Sequence, residues 1–342
     1  MTVAAPTGRR FDVICVGDVA VDLYLTLPEE SAVVESSDTG RHLVLPFGGK
    51  IACDVTATVA AGGNSANVAV ACSRLGLRVA LAAYVGSDRM GREAVESLHA
   101  EGVDSSLVRF DSTVPTNRSF VLRVGHERTI LVHHEQHDCH WPYLRPSDIP
   151  SWLFLSSVGR DAHQYEEQIT DWLERSPDVS FAFEPGTLQI SRGAAGLGRL
   201  FRRAALVVCN REEAATITGA CADESPKALL DRMLELGPSR AVITDGSAGA
   251  HGTDGTRYIR VPVFPDDGPV IDRTGAGDAF AGTLVAGLAS GLALDDAMAR
   301  APVNAMRVVQ QVGAQAGLLT WDEVEALLAA APSSYGVEVV PA

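Results

Sequence analysis

Short apolar runs of strand length recur along the chain and alternate with segments of helical spacing. The first run, FDVICVG, is followed by SANVAVACSRLG, in which apolar residues recur at helical spacing before a glycine. Further strand-like runs are VALAAYVG, WLFLSS, VSFAFEPG, ALVVCN and RAVITDG; helical segments separate most of them, and a glycine-rich loop follows VSFAFEPG. This alternation predicts an α/β fold with a mostly parallel sheet and helices on both of its faces.

Two β-rich regions interrupt this alternation. Residues 22–60 and 107–135 contain short strand-like stretches with no helix between them. Such strands usually pair antiparallel, so we expect them to form a small second sheet inserted in the α/β core. A cleft between the core and this lid sheet is the expected ligand site.

The composition favours one large folded unit. The chain has 342 residues, of which 46% are hydrophobic and 21% charged, so it can bury a large core, and we expect residues 1–342 to form a single domain. The formal net charge of −15 argues against extended contact with nucleic acid or with an anionic membrane surface, because both need clustered Lys and Arg. We therefore expect neither nucleic acid nor a membrane as a partner.

Two further features bear on the compartment. The six cysteines are far apart in the sequence and form no CxxC pair, and no long apolar signal segment precedes the first strand-like run. No apolar run reaches the length needed to span a bilayer. These observations predict a cytoplasmic protein.

The segment DRTGAGDAFAGTLVAGLASG, residues 272–291, combines a nearly side-chain-free loop with the start of an apolar helix. Glycines let a ligand approach the backbone closely, and the free N–H groups at a helix start attract an anion. A carboxylate at that point can accept a proton from a hydroxyl that attacks phosphorus. An ordinary capped helix start explains the same letters equally well. The candidate catalytic residues are Gly275, Ala276, Gly277 and Asp278.

The resemblance to a known family favours the catalytic interpretation. DRTGAGDAFAGTLVAG resembles the C-terminal signature of the PfkB, or ribokinase-like, carbohydrate kinases, and AGGNSANVAVACSRLG resembles the N-terminal signature. VGDVAVD at 16–22, NREEA at 210–214 and TDGSAGA at 244–250 also fall in the family's order. The resemblance implies a three-layer α/β/α core with a small β-sheet lid. It also implies ATP-dependent phosphorylation of a primary hydroxyl of a small sugar, with ATP and Mg²⁺ bound.

Substrate-binding residues are assigned through the same resemblance. Asp22 follows the first strand, where open α/β sheets bind ligands, and its carboxylate can accept two sugar hydroxyl hydrogen bonds. Asp18 is a weaker candidate that fits a turn cap. Gly62, Gly63 and Asn67 match the glycine pair and the asparagine that line the family's sugar pocket.

The resemblance also implies a nucleotide site. Asn210 and Glu213 have capping-box spacing, and in the family this pair lies near the phosphates and the magnesium ion. Both roles are compatible. The remaining predicted nucleotide contacts are Thr244, Gly246 and Gly249 near the phosphates and ribose, and Asn304 near the adenine.

A monovalent cation site is a further implication of the resemblance. Asp272 and Thr274 match positions that supply oxygens to such an ion, K⁺, in many members. Arg273 replaces the small or apolar residue usual between them, and an inward-pointing guanidinium would weaken that site. Gly313 and Ala314 are expected beside the loop that begins at Gly275.

The tract HHEQHDCH, residues 133–140, contains four histidines, a cysteine and two carboxylates, which are zinc-binding residue types. It lacks regular ligand spacing, so a polar strand end or a substrate contact is the favoured interpretation and zinc the alternative.

Other functions remain open or are disfavoured. The sequence has no P-loop motif, no protein-kinase motifs and no GxGxxG after the first strand. A nucleoside kinase of the same fold and a catalytically silent sugar-binding relative remain as alternatives. An exposed lid face would pair two subunits, so a homodimer through the lid is a further hypothesis.

Overall fold

The computed structural model describes residues 10–37, 40–125, 127–159, 162–221, 223–265 and 268–342. The strands are β1 (Val13–Val16), β2 (Ala20–Thr26), β3 (Val33–Ser37), β4 (Gly40–Val44), β5 (Asp54–Gly62), β6 (Val79–Ala82), β7 (Tyr84–Gly86), β8 (Arg109–Asp111), β9 (Asn117–Val124), β10 (Glu127–His133), β11 (Trp152–Leu155), β12 (Ser180–Phe183), β13 (Leu206–Asn210), β14 (Ala241–Thr244), β15 (Ala250–Thr253), β16 (Arg257–Val261) and β17 (Glu338–Pro341).

The α-helices alternate with the core strands. They are α1 (Asn64–Arg74), α2 (Arg89–Ala100), α3 (His163–Arg175), α4 (Thr187–Ile190), α5 (Gly193–Arg203), α6 (Arg211–Thr218), α7 (Pro226–Glu235), α8 (Ala276–Ala289), α9 (Leu294–Val308) and α10 (Trp321–Ala329).

A nine-stranded sheet forms the middle layer, with strand order β17-β16-β15-β14-β13-β12-β11-β1-β6. The strands from β14 to β6 in this order are parallel, and β15, β16 and β17 add antiparallel pairs at one edge. The mostly parallel sheet confirms the predicted fold class.

The helices cover both faces of this sheet. In β1, Val13 and Cys15 pack in one hydrophobic cluster together with residues of α1, α8 and α9, while Ile14 and Val16 pack in a second cluster with residues of α3, α5, α6 and α7. Successive side chains of a strand point to opposite faces, so a strand with helices on both sides must be apolar throughout. This requirement explains the continuous apolar runs in the sequence.

The lid is a four-stranded sheet with the order β10-β9-β2-β5. The prediction of a second sheet is therefore confirmed, but two details of it were wrong. First, β2 pairs parallel with β9, because the chain crosses the core between them. Second, β8 pairs with β7, and β3 and β4 form a separate hairpin, so not every strand of the two β-rich regions joins the lid.

A third correction concerns the segment after β12. A glycine-rich loop is predicted after the run VSFAFEPG, but the glycine-rich residues 193–198 form the first half of α5. Leu197, Leu200 and Phe201 of this helix are buried against the sheet. The burial of this apolar face outweighs the poor helix propensity of glycine.

Helices α1 and α8 pack closely at Gly282, which has no side chain. A Cβ placed on Gly282 of α8 would lie 2.7 Å from the Cβ of Ala71 in α1. The two helices cannot approach this closely with a larger residue at position 282 unless one of them shifts.

We expect Gly282→Ala to lower the melting temperature. An alanine in a helix usually gains up to about 1 kcal/mol over glycine, but overpacking a close helix contact costs about 1–3 kcal/mol. The control is Gly198→Ala in α5, where an added Cβ meets only the end of the Arg202 side chain, at 3.2 Å. Thermal unfolding of both variants checks this; a Gly282→Ala variant as stable as the wild type would contradict the packing argument.

Candidate active site

A cleft of about 410 Å³ lies between the lid sheet and the carboxyl ends of the core strands. Side chains at the ends of parallel strands meet at one edge of a sheet, where open α/β folds bind ligands. The predicted site residues that line this cleft are Asp22, Gly63, Asn67, Asn210, Glu213, Thr244, Thr274, Gly275, Gly277 and Asp278. Residues up to 256 positions apart in the sequence thus share one cleft.

The carboxylate of Asp278 is buried in the first turn of α8 and is held from α1. The Asn67 Nδ2 donates a hydrogen bond of 2.7 Å to Asp278 Oδ2. The Asn67 Oδ1 in turn accepts a 2.8 Å bond from Gln315 Nε2, which also donates to the carbonyl of Ala61. Asn67 is therefore oriented by Gln315, and it fixes the direction of the Asp278 side chain.

The pKa of Asp278 is raised to about 6, chiefly because burial disfavours its charged form. The hydrogen bond from Asn67 lowers this pKa, and the negative charge of Glu213 raises it. A carboxylate with such a pKa is largely ionised at neutral pH and can accept a proton from a bound hydroxyl.

Asp22 of β2 is the second buried carboxylate of the cleft. Burial raises its pKa to about 6; the nearby Ser119 hydroxyl lowers this pKa and the charge of Asp278 raises it. Gly62 belongs to the lid strand β5 beside Asp22, and a Cβ on it would overlap the Asp22 carboxylate. Gly62 does not line the cleft itself but leaves the space that the Asp22 side chain occupies.

The loop before α8 follows the predicted geometry. Gly275 is the N-cap of the helix with φ of +80°, a value that favours glycine, and a Cβ there would overlap Ala314. The expected proximity of Ala314 to this loop is therefore confirmed. The first N–H groups of a helix lack partners within the helix, so the N-terminus of α8 offers donors for an anion beside Asp278.

Asn210 and Glu213 form the predicted capping box at the start of α6. Asn210 Oδ1 accepts from the Glu213 N–H and Glu213 Oε2 accepts from the Asn210 N–H, both at 2.9 Å. Burial raises the pKa of Glu213. The carboxylate therefore caps the helix and also faces the cleft.

Glu184, at the carboxyl end of β12, is a cleft residue that the sequence reasoning missed. Burial and the negative charges of Asp278 and Glu213 raise its pKa, and the Ser156 hydroxyl donates to its Oε2 at 3.3 Å. The only sequence signal was its place near the end of the strand-like run VSFAFEPG. Gln315 was missed as well, because nothing in the local sequence connects it to Asn67.

Five other predicted residues lie outside the cleft lining, and Asp272, which is one of them, belongs to the loop described below. Ala276 is the first residue of α8, between two residues that do line the cleft. Gly246 and Gly249 lie in the turn between β14 and β15, just beyond Thr244. Asn304 is fully buried in α9, where its amide donates to Thr283 Oγ1 at 2.9 Å and accepts from the Leu319 N–H at 3.0 Å. The structure does not bring the Asn304 side chain to the cleft.

Hydrogen bonds hold the loop of residues 272–274, in which the monovalent cation site is predicted. Asp272 is buried, and its Oδ1 accepts from the Thr274 N–H at 3.0 Å and from the Thr274 hydroxyl at 2.7 Å. Its Oδ2 accepts from the Gly313 N–H at 3.2 Å. The exposed Arg273 side chain lines the cleft. The donors to Asp272 are neutral groups, and within the described part of the chain no cationic side chain forms an ion pair with this carboxylate.

The histidine tract forms separate pairs with acidic residues. His134 Nδ1 lies 3.2 Å from Asp18 Oδ2 at the edge of the cleft, and His137 Nδ1 lies 3.2 Å from Asp111 Oδ2. Among the residues that the structure describes, no group of three or more His, Cys, Asp or Glu side chains is arranged to hold a metal ion. The tract therefore does not support the zinc alternative.

The chain matches known proteins over most of its length. It is 26% identical to the ribokinase of Bacillus subtilis (strain 168) over 269 residues, covering 78% of this chain and 87% of that protein. It is 29% identical over 268 residues to the bifunctional protein HldE of Pseudomonas aeruginosa (strain LESB58), covering 74% of this chain but only 53% of HldE. The chain thus spans about half the length of that relative.

A solved structure agrees with the fold. The ribokinase of Arabidopsis thaliana complexed with ribose and ATP superposes with a TM-score of 0.76, covering 93% of this chain and 98% of that one, at 18% identity. Within the described part of the chain, no helix has the length and apolarity that crossing a bilayer requires.

The model of the pfkB family of carbohydrate kinases matches residues 10–321. This chain belongs to the pfkB family of carbohydrate kinases.

Proposed function

We propose that this protein is an ATP-dependent kinase that phosphorylates a primary hydroxyl of a small sugar or related polyol. One observation carries the proposal: the buried Asp278 carboxylate lies in the first turn of α8, beside the first N–H groups of the same helix, which have no acceptor within that helix. A proton acceptor and an anion-binding site in one cleft are the two groups that phosphoryl transfer to a hydroxyl requires.

Each side of the cleft has its own role in this proposal. Asp278 takes the proton of the attacking hydroxyl, and Asn67 holds its carboxylate toward the acceptor. The backbone N–H groups of the loop from Gly275 to Asp278 stabilise the negative charge of the transferred group. Asp22 accepts hydrogen bonds from acceptor hydroxyls, and closure of the lid excludes water that would otherwise hydrolyse ATP.

The acidic side chains of the cleft fit a magnesium ion. Mg²⁺ keeps several waters and is usually held by one or two carboxylates together with substrate phosphates. Glu184 and Glu213 would hold it, since both face the cleft and each raises the local negative charge that a cation relieves. When bound, the ion supplies positive charge to the triphosphate. Asp272 and Thr274, whose side-chain oxygens lie 2.7 Å apart, would hold a monovalent cation.

Compartment and assembly are part of the same proposal. All six cysteines are free thiols, as expected of a cytoplasmic protein. Leu131 of the lid is more than half exposed, at 53%, and lies on the face opposite to Ile130 and Val132, which line the cleft. An apolar outer surface of the lid is where two subunits would pair.

A panel of sugars, polyols and nucleosides in a coupled ADP-release assay tests the function. We expect acceptor-dependent ADP formation with at least one sugar or polyol. Turnover of nucleosides alone would contradict the sugar assignment, and sugar binding without ADP formation would indicate a catalytically silent relative.

Asp278→Asn keeps the shape of the side chain and removes the base. We expect kcat to fall by roughly 10² to 10⁴ while the KM for ATP changes little.

The same variant tests the effect of Asp278 on stability. Because the pKa of Asp278 is raised in the folded protein, the carboxyl group ionises more easily in the unfolded chain, and the stability that the protonated Asp278 contributes is lost as pH rises through about 6. The variant should therefore melt at the same temperature as the wild type, or higher, at pH 7. Near-normal turnover would contradict the role of Asp278.

Asn67→Ala should move the pH dependence of the reaction. The wild-type kcat/KM should fall below pH of about 6, where Asp278 becomes protonated. Without the Asn67 donor the pKa of Asp278 rises, so this acid limb should move to higher pH. The control is Gln189→Ala, which removes a buried amide outside the cleft that donates to Glu166. An acid limb that moves equally in both variants, or in neither, would contradict the positioning role.

A further inference from the structure

Arg128 brings a positive charge to the cleft from the lid. It lies on β10, where alternate residues point to the same face of the sheet. Arg128, Ile130, Val132 and His134 follow this spacing, and all four line the cleft. The alternation along β10 therefore places Arg128 on the face of the lid that lines the cleft.

Arg128 has no acceptor of its own among the residues that the structure describes. Its Nε is buried without a hydrogen-bond partner, and no hydrogen bond or ion pair joins its side chain to another described residue. Its cross-strand neighbour Arg123, in contrast, donates to the carbonyl of Ile271 at 2.9 Å. A buried guanidinium nitrogen without an acceptor is costly, so an acceptor supplied by a ligand would relieve that cost.

A second guanidinium, that of Arg273, lines the same cleft and also forms no ion pair within the described part of the chain. The bond from Arg123 to Ile271 joins the Arg128 end of the lid to the loop that carries Arg273. The two arginines therefore belong to one corner of the cleft. The other histidine and acidic side chains that line it are His134, Asp18, Asp22, Glu184, Glu213 and Asp278.

The carboxylates and the two arginines lie at different ends of the proposed acceptor site. In the lid sheet, Asp22 of β2 pairs with Ser119 of β9, and Ser119 pairs with Val132 of β10. Asp22 therefore lies at the same level along the sheet as Val132. Arg128 is four residues further along β10, or about 13 Å at the usual rise of a strand. The carboxylate end suits hydroxyl groups, and the arginine end suits an anion, because a guanidinium binds phosphate or carboxylate with two parallel hydrogen bonds.

We propose that the acceptor of this kinase carries an anionic group, a phosphate or a carboxylate, which Arg128 binds with the help of Arg273. The proposal rests on the proposed kinase function and adds a substrate class to it: a sugar with a negatively charged end remote from the hydroxyl that Asp278 deprotonates. A neutral sugar would leave Arg128 without an acceptor.

The first test is a binding measurement that needs no turnover. Isothermal titration calorimetry, with a non-hydrolysable ATP analogue present, compares hexoses and pentoses with their terminal phosphates and with the corresponding aldonic acids. We expect at least one anionic compound to bind about tenfold or more tightly than its neutral parent. The phosphate and aldonic acid arms identify which anion the site takes.

The second test is the variant Arg128→Gln. It should weaken binding of the preferred anionic compound by about 10- to 100-fold, as expected for lost charged hydrogen bonds, and leave the neutral parent and the KM for ATP nearly unchanged. The matched control is Arg118→Gln on β9, whose Nε is likewise buried without a partner but whose side chain does not line the cleft. Arg128→Lys keeps the charge and should retain part of the affinity.

Three outcomes would overturn the proposal: equal affinity for every neutral and anionic pair, equal losses in the Arg128→Gln and Arg118→Gln variants, or a rise in the KM for ATP alone in Arg128→Gln. The last result would assign Arg128 to the nucleotide. Failure of the kinase function gives a different result, namely no ADP formation with any acceptor while the calorimetric preference is still measurable.

Discussion

The hydrogen bond between Asn67 and Asp278 is the interaction on which the site depends. It joins the first turns of α1 and α8, which are 211 residues apart in the sequence, and it fixes a buried carboxylate at the start of a helix. Burial of a charge is unfavourable unless hydrogen bonds compensate it, so the carboxylate requires a donor at this position. The close packing of α1 against α8 at Gly282 brings that donor within 2.7 Å.

The cleft concentrates negative charge and leaves it partly uncompensated. Asp22, Glu184, Glu213 and Asp278 all have raised pKa values, with burial as the largest cause in each case. Such an arrangement reduces stability at neutral pH, and a bound cation together with the polar groups of the ligands would offset that cost. The arginines at the lid and at the 271–274 loop supply positive charge at one corner only. The electrostatic pattern therefore favours a ligand with an anion at one end and hydroxyl groups at the other.

The sequence predicted those parts of the fold that depend on local rules. Continuous apolar runs predicted the core strands, which are buried on both faces. The spacing of Asn210 and Glu213 predicted the capping box at α6. Two errors arose where tertiary packing overrides local preference: glycines at 193–198 form a helix because one face is buried, and β2 pairs parallel with β9 because the chain crosses the core between them.

Much of the candidate site could also be predicted, because glycines and carboxylates at strand ends have recognisable spacing. The contacts that orient these residues could not. Gln315 reaches Asn67 across 248 residues, and Glu184 and Arg128 belong to the cleft only through strand order and register. Asn304, in contrast, is predicted to lie near the adenine, but in the structure its side-chain amide forms hydrogen bonds with Thr283 and Leu319. Long-range pairing of this kind leaves no local pattern to detect.

The most direct test of this account is the ionisation of Asp278 itself. Carbon-13 NMR of protein labelled at the aspartate carboxyl carbons, with Asp278→Asn to assign the signal, follows the titration of this group in the free protein. The account predicts a pKa of about 6, because burial outweighs the hydrogen bond from Asn67. A carboxylate that titrates at or below the ordinary value of 3.8 would show that Asp278 is exposed or neutralised by a cation of the protein, and would contradict the central claim.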